Sequence, residues 1–190
     1  MSISLYTSSA GVFVRMLTNC RGILRKSEAH AAAGGIDPTA LLEARLAPDM
    51  FPLHRQMQIA ADGARGAAIR LAGLTLPDPE AEDFAVFNRG IQHRFPDTAS
   101  SFGALTARLD AAVATLEALR PEQIDGSEAR VIDVVMGGRT RRFAGLPFLL
   151  HYALPNLHFH IAMAYAILRH AGLDLGKQDF EGPPVYSSLP

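Results

Sequence analysis

The sequence predicts a mainly all-α protein, an up-and-down four-helix bundle with a small β-hairpin between the third and fourth long helices. Three observations carry this. Apolar residues recur at intervals of three and four over four long stretches. Glycine and proline punctuate the ends of those stretches. One stretch, "ARVIDVVMGGRTRRFAG", abandons the helical period and places β-branched residues beside a Gly-Gly turn. Helix, helix, helix, hairpin, helix is the order of a bundle with one β excursion. At 190 residues, 48% of them hydrophobic and 19% charged, residues 1–190 are expected to form a single domain with a real core.

The first helix is expected over residues 3–27. Leu5, Val12, Phe13, Met16, Leu17, Cys20 and Leu24 fall near helical spacing, and "AHAAAGGIDP" ends it at two glycines. Asp37 and Pro38 then suit the cap and first turn of a short helix over residues 38–46. The second long helix follows Pro52, with Leu53, Met57, Ala60, Ala64, Ala67 and Leu71 as its stripe and Gly73 as its stop. Residues 74–101 hold three prolines and read as a long loop with a helical turn around residues 84–88.

The third long helix starts at a Ser100 or Ser101 cap and runs through "SFGALTARLDAAVATLEALRPEQIDG", burying Leu105, Leu109, Ala112, Val113, Leu116 and Leu119. Residues 131–136 should pair with residues 139–143 in the hairpin. The last helix is expected over residues 147–170. Pro155 should kink it, because proline removes a backbone donor and crowds the preceding turn. Gly172 ends it, and the tail is expected to run extended across the bundle, packing through Phe180.

The bulk numbers exclude some functions. Formal net charge is −1, and only Lys26 and Lys177 are lysines, so nothing suggests a nucleic-acid partner. The richest apolar run carries His151, Pro155, Asn156, His158 and His160, a poor load for a membrane span. Cys20 is the only cysteine, which forbids an intrachain disulfide and fits a cytoplasmic setting. Its apolar spacing places it in the core, without the base that a nucleophile needs. "GLDLGK" lacks phosphate-loop spacing and reads as a helix stop. "RGIQHRF" and "GGRTRRF" read as solvated basic loops or salt-bridge donors between subunits.

Three of the seven histidines lie in "LPNLHFHIAMAYAILRHAG". His158 and His160 are two residues apart, roughly 200° around a helix, and cannot chelate one ion. His151 and His158 share a face if the helix keeps its phase. His170 sits in the last turn, well placed against the helix dipole. His160 shares its face with Asn156. On the second long helix His54 is four residues before Gln58, so those side chains can meet. His54, Gln58, Asn156 and His160 could therefore form one polar cluster that binds a small molecule, with Tyr152 and Tyr165 adding hydroxyls. His54, His160 and Asn156 could instead hold a divalent metal such as Zn²⁺, Ni²⁺ or Fe²⁺ with open positions for water. Against both stands packing: His160 as a buried histidine hydrogen-bonded across the bundle, with Asn156 satisfying carbonyls freed by Pro155.

Two stretches, "ARLAPDMFPLHRQMQIAADGARGAAIRLAG" and "ALPNLHFHIAMAYAILRHAGLDLGKQDFEG", resemble the signature regions of an uncharacterised bacterial family of unknown function within the DinB-like metalloenzyme superfamily. The resemblance implies a DinB-like four-helix bundle, commonly a homodimer, with no known reaction for the family. Elsewhere in the superfamily, one helix supplies a histidine and the last helix two more at i and i+4, which bind a divalent metal used in thiol-dependent transfer or isomerisation. Here that pair would be Asn156 and His160. The departure favours a non-catalytic or small-molecule-binding homodimer with an incomplete metal site. The competing expectation is a metal-dependent transferase, isomerase or hydrolase using His54 and His160.

Overall fold

The computed structural model describes residues 3–76, 101–136 and 139–187. The expected helical turn at residues 84–88, the "RGIQHRF" patch and the Gly-Gly turn of the hairpin lie outside the described residues.

The first helix, α1 (Val12–Gly34), continues from a π turn at Thr7–Gly11. It runs beyond the expected end at residue 27. Ala31, Ala32 and Ala33 are strong helix formers, and the stop comes only where Gly35 turns left-handed at φ +61°. Phe13, Leu17, Cys20 and Leu24 face the core as their spacing predicts. Helix α2 (Pro38–Leu42) begins as expected, with the Asp37 carboxylate accepting from the Thr39 N–H at 2.9 Å. It stops at Leu42, short of residue 46.

Helix α3 (Leu53–Leu71) is the centre of the bundle, and every residue in it except Arg55 is buried. Its many alanines and glycines allow neighbours to approach closely on all sides. Gly73 closes it at φ +68°, and the Leu74 N–H returns to the Ile69 carbonyl. Helix α4 (Phe102–Glu117) is capped by Ser101, whose hydroxyl accepts from the Ala104 N–H. The single helix expected through residue 126 is in fact two. Pro121 forces Arg120 into an extended conformation and starts a separate turn, α5 (Pro121–Ile124).

Strands β1 (Val131–Met136) and β2 (Arg139–Ala144) form the antiparallel hairpin, in a register running from Val131 opposite Ala144 to Met136 opposite Arg139. Ile132 and Val134 point to the core while Val131 and Val135 face out, the period of two expected of a strand lying on a bundle.

The last helical segment comprises α6 (Gly145–Phe148), a π turn (Leu149–Ala153) and α7 (Leu154–His170). Pro155 sits in the first turn of α7. The turn before it is widened to i→i+5 bonding, so the proline ring is accommodated by a π turn. That extra residue shifts the phase by about 100°, so His151 and His158 do not keep a common face. Helix α3 packs mainly on α7 and α4, and α1 packs on α4 but only marginally on α7. Among the described residues, no helix is long and apolar enough to cross a membrane.

The tail is not extended throughout. Asp179 accepts from the Gly176 N–H at 2.8 Å and starts a short helix, α8 (Lys177–Glu181). Phe180 packs on the core as expected, its ring edge-on to Tyr165 at 6.3 Å. Asn19 donates to the Phe180 carbonyl, Arg15 to the Glu181 carbonyl, and Lys26 pairs with Asp179 at 2.7 Å. These contacts strap the tail to α1.

Candidate functional site

Polar residues on α3 divide onto two sides of the helix. His54, Gln58 and Asp62 follow at intervals of four, drifting only about 40° per step. Gln56 lies roughly 160° around from His54. These groups, which the sequence allowed to meet in one cluster, therefore fall on two sides of α3. His160 goes with Gln56 on the α7 side, and His54 goes with Gln58 on the other.

On the α7 side, His160 Nδ1 lies 2.7 Å from Gln56 Oε1. The Gln56 amide is oriented by its own Nε2, which donates to the Phe51 carbonyl at 3.1 Å. Oε1 can only accept, so His160 Nδ1 carries the proton and Nε2 keeps its lone pair. His160 is 8% exposed. Burial lowers its pKa from 6.5 to about 4, which keeps the imidazole neutral at physiological pH. Asn156 is half-buried one turn before it. His158, on the opposite face, turns its Nδ1 back to the Leu154 carbonyl at 2.8 Å. His170 ends the helix exposed.

On the other side, buried His54 places Nε2 3.0 Å from Oε1 of Glu43, the residue that ends α2. Two turns along, Asp62 takes a two-pronged contact from Arg108 of α4, at 3.0 Å through Nε and 2.6 Å through Nη2. Asp62 is buried in this pair and Arg108 half-buried. Between them in sequence stands Gln58, 0% exposed, and neither atom of its amide has a hydrogen-bond partner among the described residues. A buried amide left so costs on the order of 1–3 kcal/mol, and such groups in folded proteins usually mark a missing water or ligand.

The two tyrosines serve other contacts. Tyr165 donates to the Leu175 carbonyl at 3.1 Å and anchors the tail. Tyr152 packs its ring on Phe143 and Phe148, with centroids 5.3 and 5.7 Å away, and burial raises its pKa. Cys20 is fully buried, which pushes its thiol up to about 12 and leaves it a packing residue.

The donor set does not fit the three-histidine metal site that the sequence resemblance implies. Asn156 offers a weak amide ligand where an imidazole would stand. His54 and His160 lie on different sides of α3 and are engaged with Glu43 and Gln56 respectively. Among the described residues no group of three His, Cys, Asp or Glu side chains could hold an ion. Sequence reasoning missed Glu43, Asp62 and Arg108. Only Asp62 left a signal, standing four residues after Gln58 on the same face.

A family model described as a domain of unknown function, DUF1993, matches residues 5–181. A crystal structure of a DinB family member protein from Shewanella denitrificans, at 1.83 Å resolution, is 31% identical to this chain. It matches with a TM-score of 0.77 over 97% of this chain and 96% of its own. No curated protein matches.

Proposed function

The chain belongs to the DUF1993 family and has the DinB-like fold, and from there we propose that it is a non-catalytic, small-molecule-binding homodimer of the cytoplasm with an incomplete metal site. Gln58 carries this reading. Its amide offers one donor group and one acceptor, both buried and both without a partner among the described residues. A small polar molecule with a matching acceptor and donor, such as a primary amide or a protonated carboxylic acid, would satisfy both. His54, four residues before Gln58, and the Asp62–Arg108 pair, one turn after it, would form the polar surround. His160, Asn156, Tyr152 and Tyr165 then serve architecture: a neutral hydrogen bond to α3, the turn at Pro155, and the aromatic and tail contacts.

The test is a panel of small amides and carboxylic acids followed by thermal shift and by amide NMR of the Gln58 side chain. Binding that shifts the Gln58 resonances and is lost in Gln58→Met supports the reading. Binding that Gln58→Met leaves unchanged removes it.

A second reading, a divalent-metal-dependent transferase, isomerase or hydrolase, draws on one observation. The His160 tautomer leaves Nε2 with its lone pair and Nδ1–H held by an acceptor, the arrangement of a metal-ligating histidine. Metal analysis of tag-free protein beside His160→Ala and His54→Ala decides it: stoichiometric Zn²⁺, Ni²⁺ or Fe²⁺ lost in both variants would favour the enzyme.

A further inference from the structure

The solvent side of α7 is unlike that of the other long helices. Pro155, Phe159, Ala162, Met163 and Ala166 fall within an arc of about 100° on it. Phe159 is 53% exposed, Pro155 is exposed, and the other three are half-buried. No Asp, Glu, Lys or Arg stands between Arg142 and Arg169. Helix α1, by contrast, turns Arg21, Arg25, Lys26 and Glu28 outward. The π turn enlarges the α7 patch. In a regular helix Leu150 and Phe159, nine residues apart, would point to opposite sides, whereas the extra residue of the π turn brings them to within about 80°. Leu150 is 46% exposed. Helix α7 leans on α3 and only marginally on α1, so nothing within the described bundle covers this stripe.

We infer that the stripe of α7 centred on Phe159 is where a second copy of this chain docks, α7 against α7 about a two-fold axis. This names the interface of the homodimer proposed above and rests on that reading. The charge pattern chooses the occupant. Near a two-fold axis each side chain meets its own copy, so any charge there would face a like charge. A stripe with no formal charge is self-complementary, whereas a nucleic acid would require cations and a charged protein partner would require opposite charges. The shape agrees. Ala162 and Ala166 let two helices approach closely, and the exposed Phe159 ring beside them supplies the large knob for the partner's small-residue groove. Helix α3, the other long helix rich in small residues, is buried inside the bundle and has no such face to offer.

The experiment is sedimentation equilibrium on the full chain, with Phe159→Glu, Phe159→Lys and the control Val131→Glu. Val131 is 63% exposed on the hairpin, away from the stripe. The wild type and the control should run at twice the 20.4 kDa chain mass. Each Phe159 variant should dissociate, with Kd raised about 100-fold or more and the circular dichroism unchanged. Mixing the Glu and Lys variants should restore a dimer, because position 159 meets position 159 near the axis. A wild-type monomer would overturn both this interface and the homodimer reading. So would a monomer that floats with lipid vesicles, which would assign the stripe to a membrane surface. A wild-type dimer that Phe159→Glu leaves intact would overturn the interface alone. Loss of the dimer without rescue on mixing would overturn the two-fold arrangement.

Discussion

His160 Nδ1 donates to Gln56 Oε1 at 2.7 Å, and this bond locks the last helix to the centre of the bundle. The imidazole is buried and neutral, with its pKa lowered by that burial from 6.5 to about 4. In the unfolded chain it regains the ordinary value near 6.5. Between these two values the unfolded state binds the proton and the folded state does not. The His160 contribution is therefore complete above pH 6.5 and is lost as pH falls toward 4. The loss should be about 3 kcal/mol over that window. Urea unfolding of wild type and His160→Gln between pH 4 and 7 measures it, since other titrating groups cancel in the difference. Parallel pH profiles for the two proteins would show that His160 does not titrate as placed.

Gln58 predicts the unusual case of a core substitution that stabilises. Methionine matches the length of glutamine and carries no polar group to leave unsatisfied. Gln58→Met should raise stability by about 1 kcal/mol in ligand-free protein, read as a higher urea midpoint at unchanged m-value. A destabilised variant would mean that the amide is satisfied in solution, by ordered water for example, and would weaken the case for a ligand there.

Gln56 and Gln58 show where local spacing stops deciding structure. Both flank Met57, and spacing alone allowed His54 and Gln58 to meet Asn156 and His160 in one pocket. Helix periodicity fixes which residues of α3 share a side, placing His54 near Gln58 and opposing His158 to His160. It cannot say which side of α3 faces α7, because α3 is buried nearly all round and has no solvent face to orient it. Elsewhere the punctuation was legible. The Asp37 and Ser101 caps, the Gly73 stop and the hairpin register follow directly from local chemistry. The π turn before Pro155 was not legible as such, since a proline can be met by a kink or a widened turn. Glu43 and Arg108 reach α3 from other elements, and no local pattern announces a partner so distant in sequence.

Asp62 and Arg108 join α3 to α4 by a part-buried two-pronged pair. Removing one member deprives the other of its two-pronged, charge-assisted contact, so Asp62→Asn or Arg108→Met alone should destabilise by about 1.5–3 kcal/mol. Replacing both, as Asp62→Leu with Arg108→Met, should cost less than the sum of the two single losses, since the contact between them is lost only once. A double-mutant cycle by chemical denaturation checks this. Additive losses would show that each residue relies mainly on other groups.

Gly182 holds the tail strap in place through backbone shape. It lies at φ +78°, where a side chain is strained, and a Cβ there would come 2.2 Å from Asn19 Oδ1. Asn19 cannot swing away freely, because its Nδ2 donates to the Phe180 carbonyl at 3.0 Å and it is itself buried. Gly182→Ala should therefore break the strap and cost about 1–3 kcal/mol locally. Gly176 is the control. Its φ is −103°, and a Cβ there would meet nothing closer than 4.0 Å, so Gly176→Ala should change stability by less than about 0.5 kcal/mol. The readout is limited proteolysis within residues 177–187 together with hydrogen exchange at Phe180. Gly182→Ala should speed both while leaving the exchange of α3 unchanged, since the strap lies on α1 and not on the bundle's centre. Equal protection of the tail in both variants would show that the Phe180 and Tyr165 rings hold it without help from the Asn19 contact.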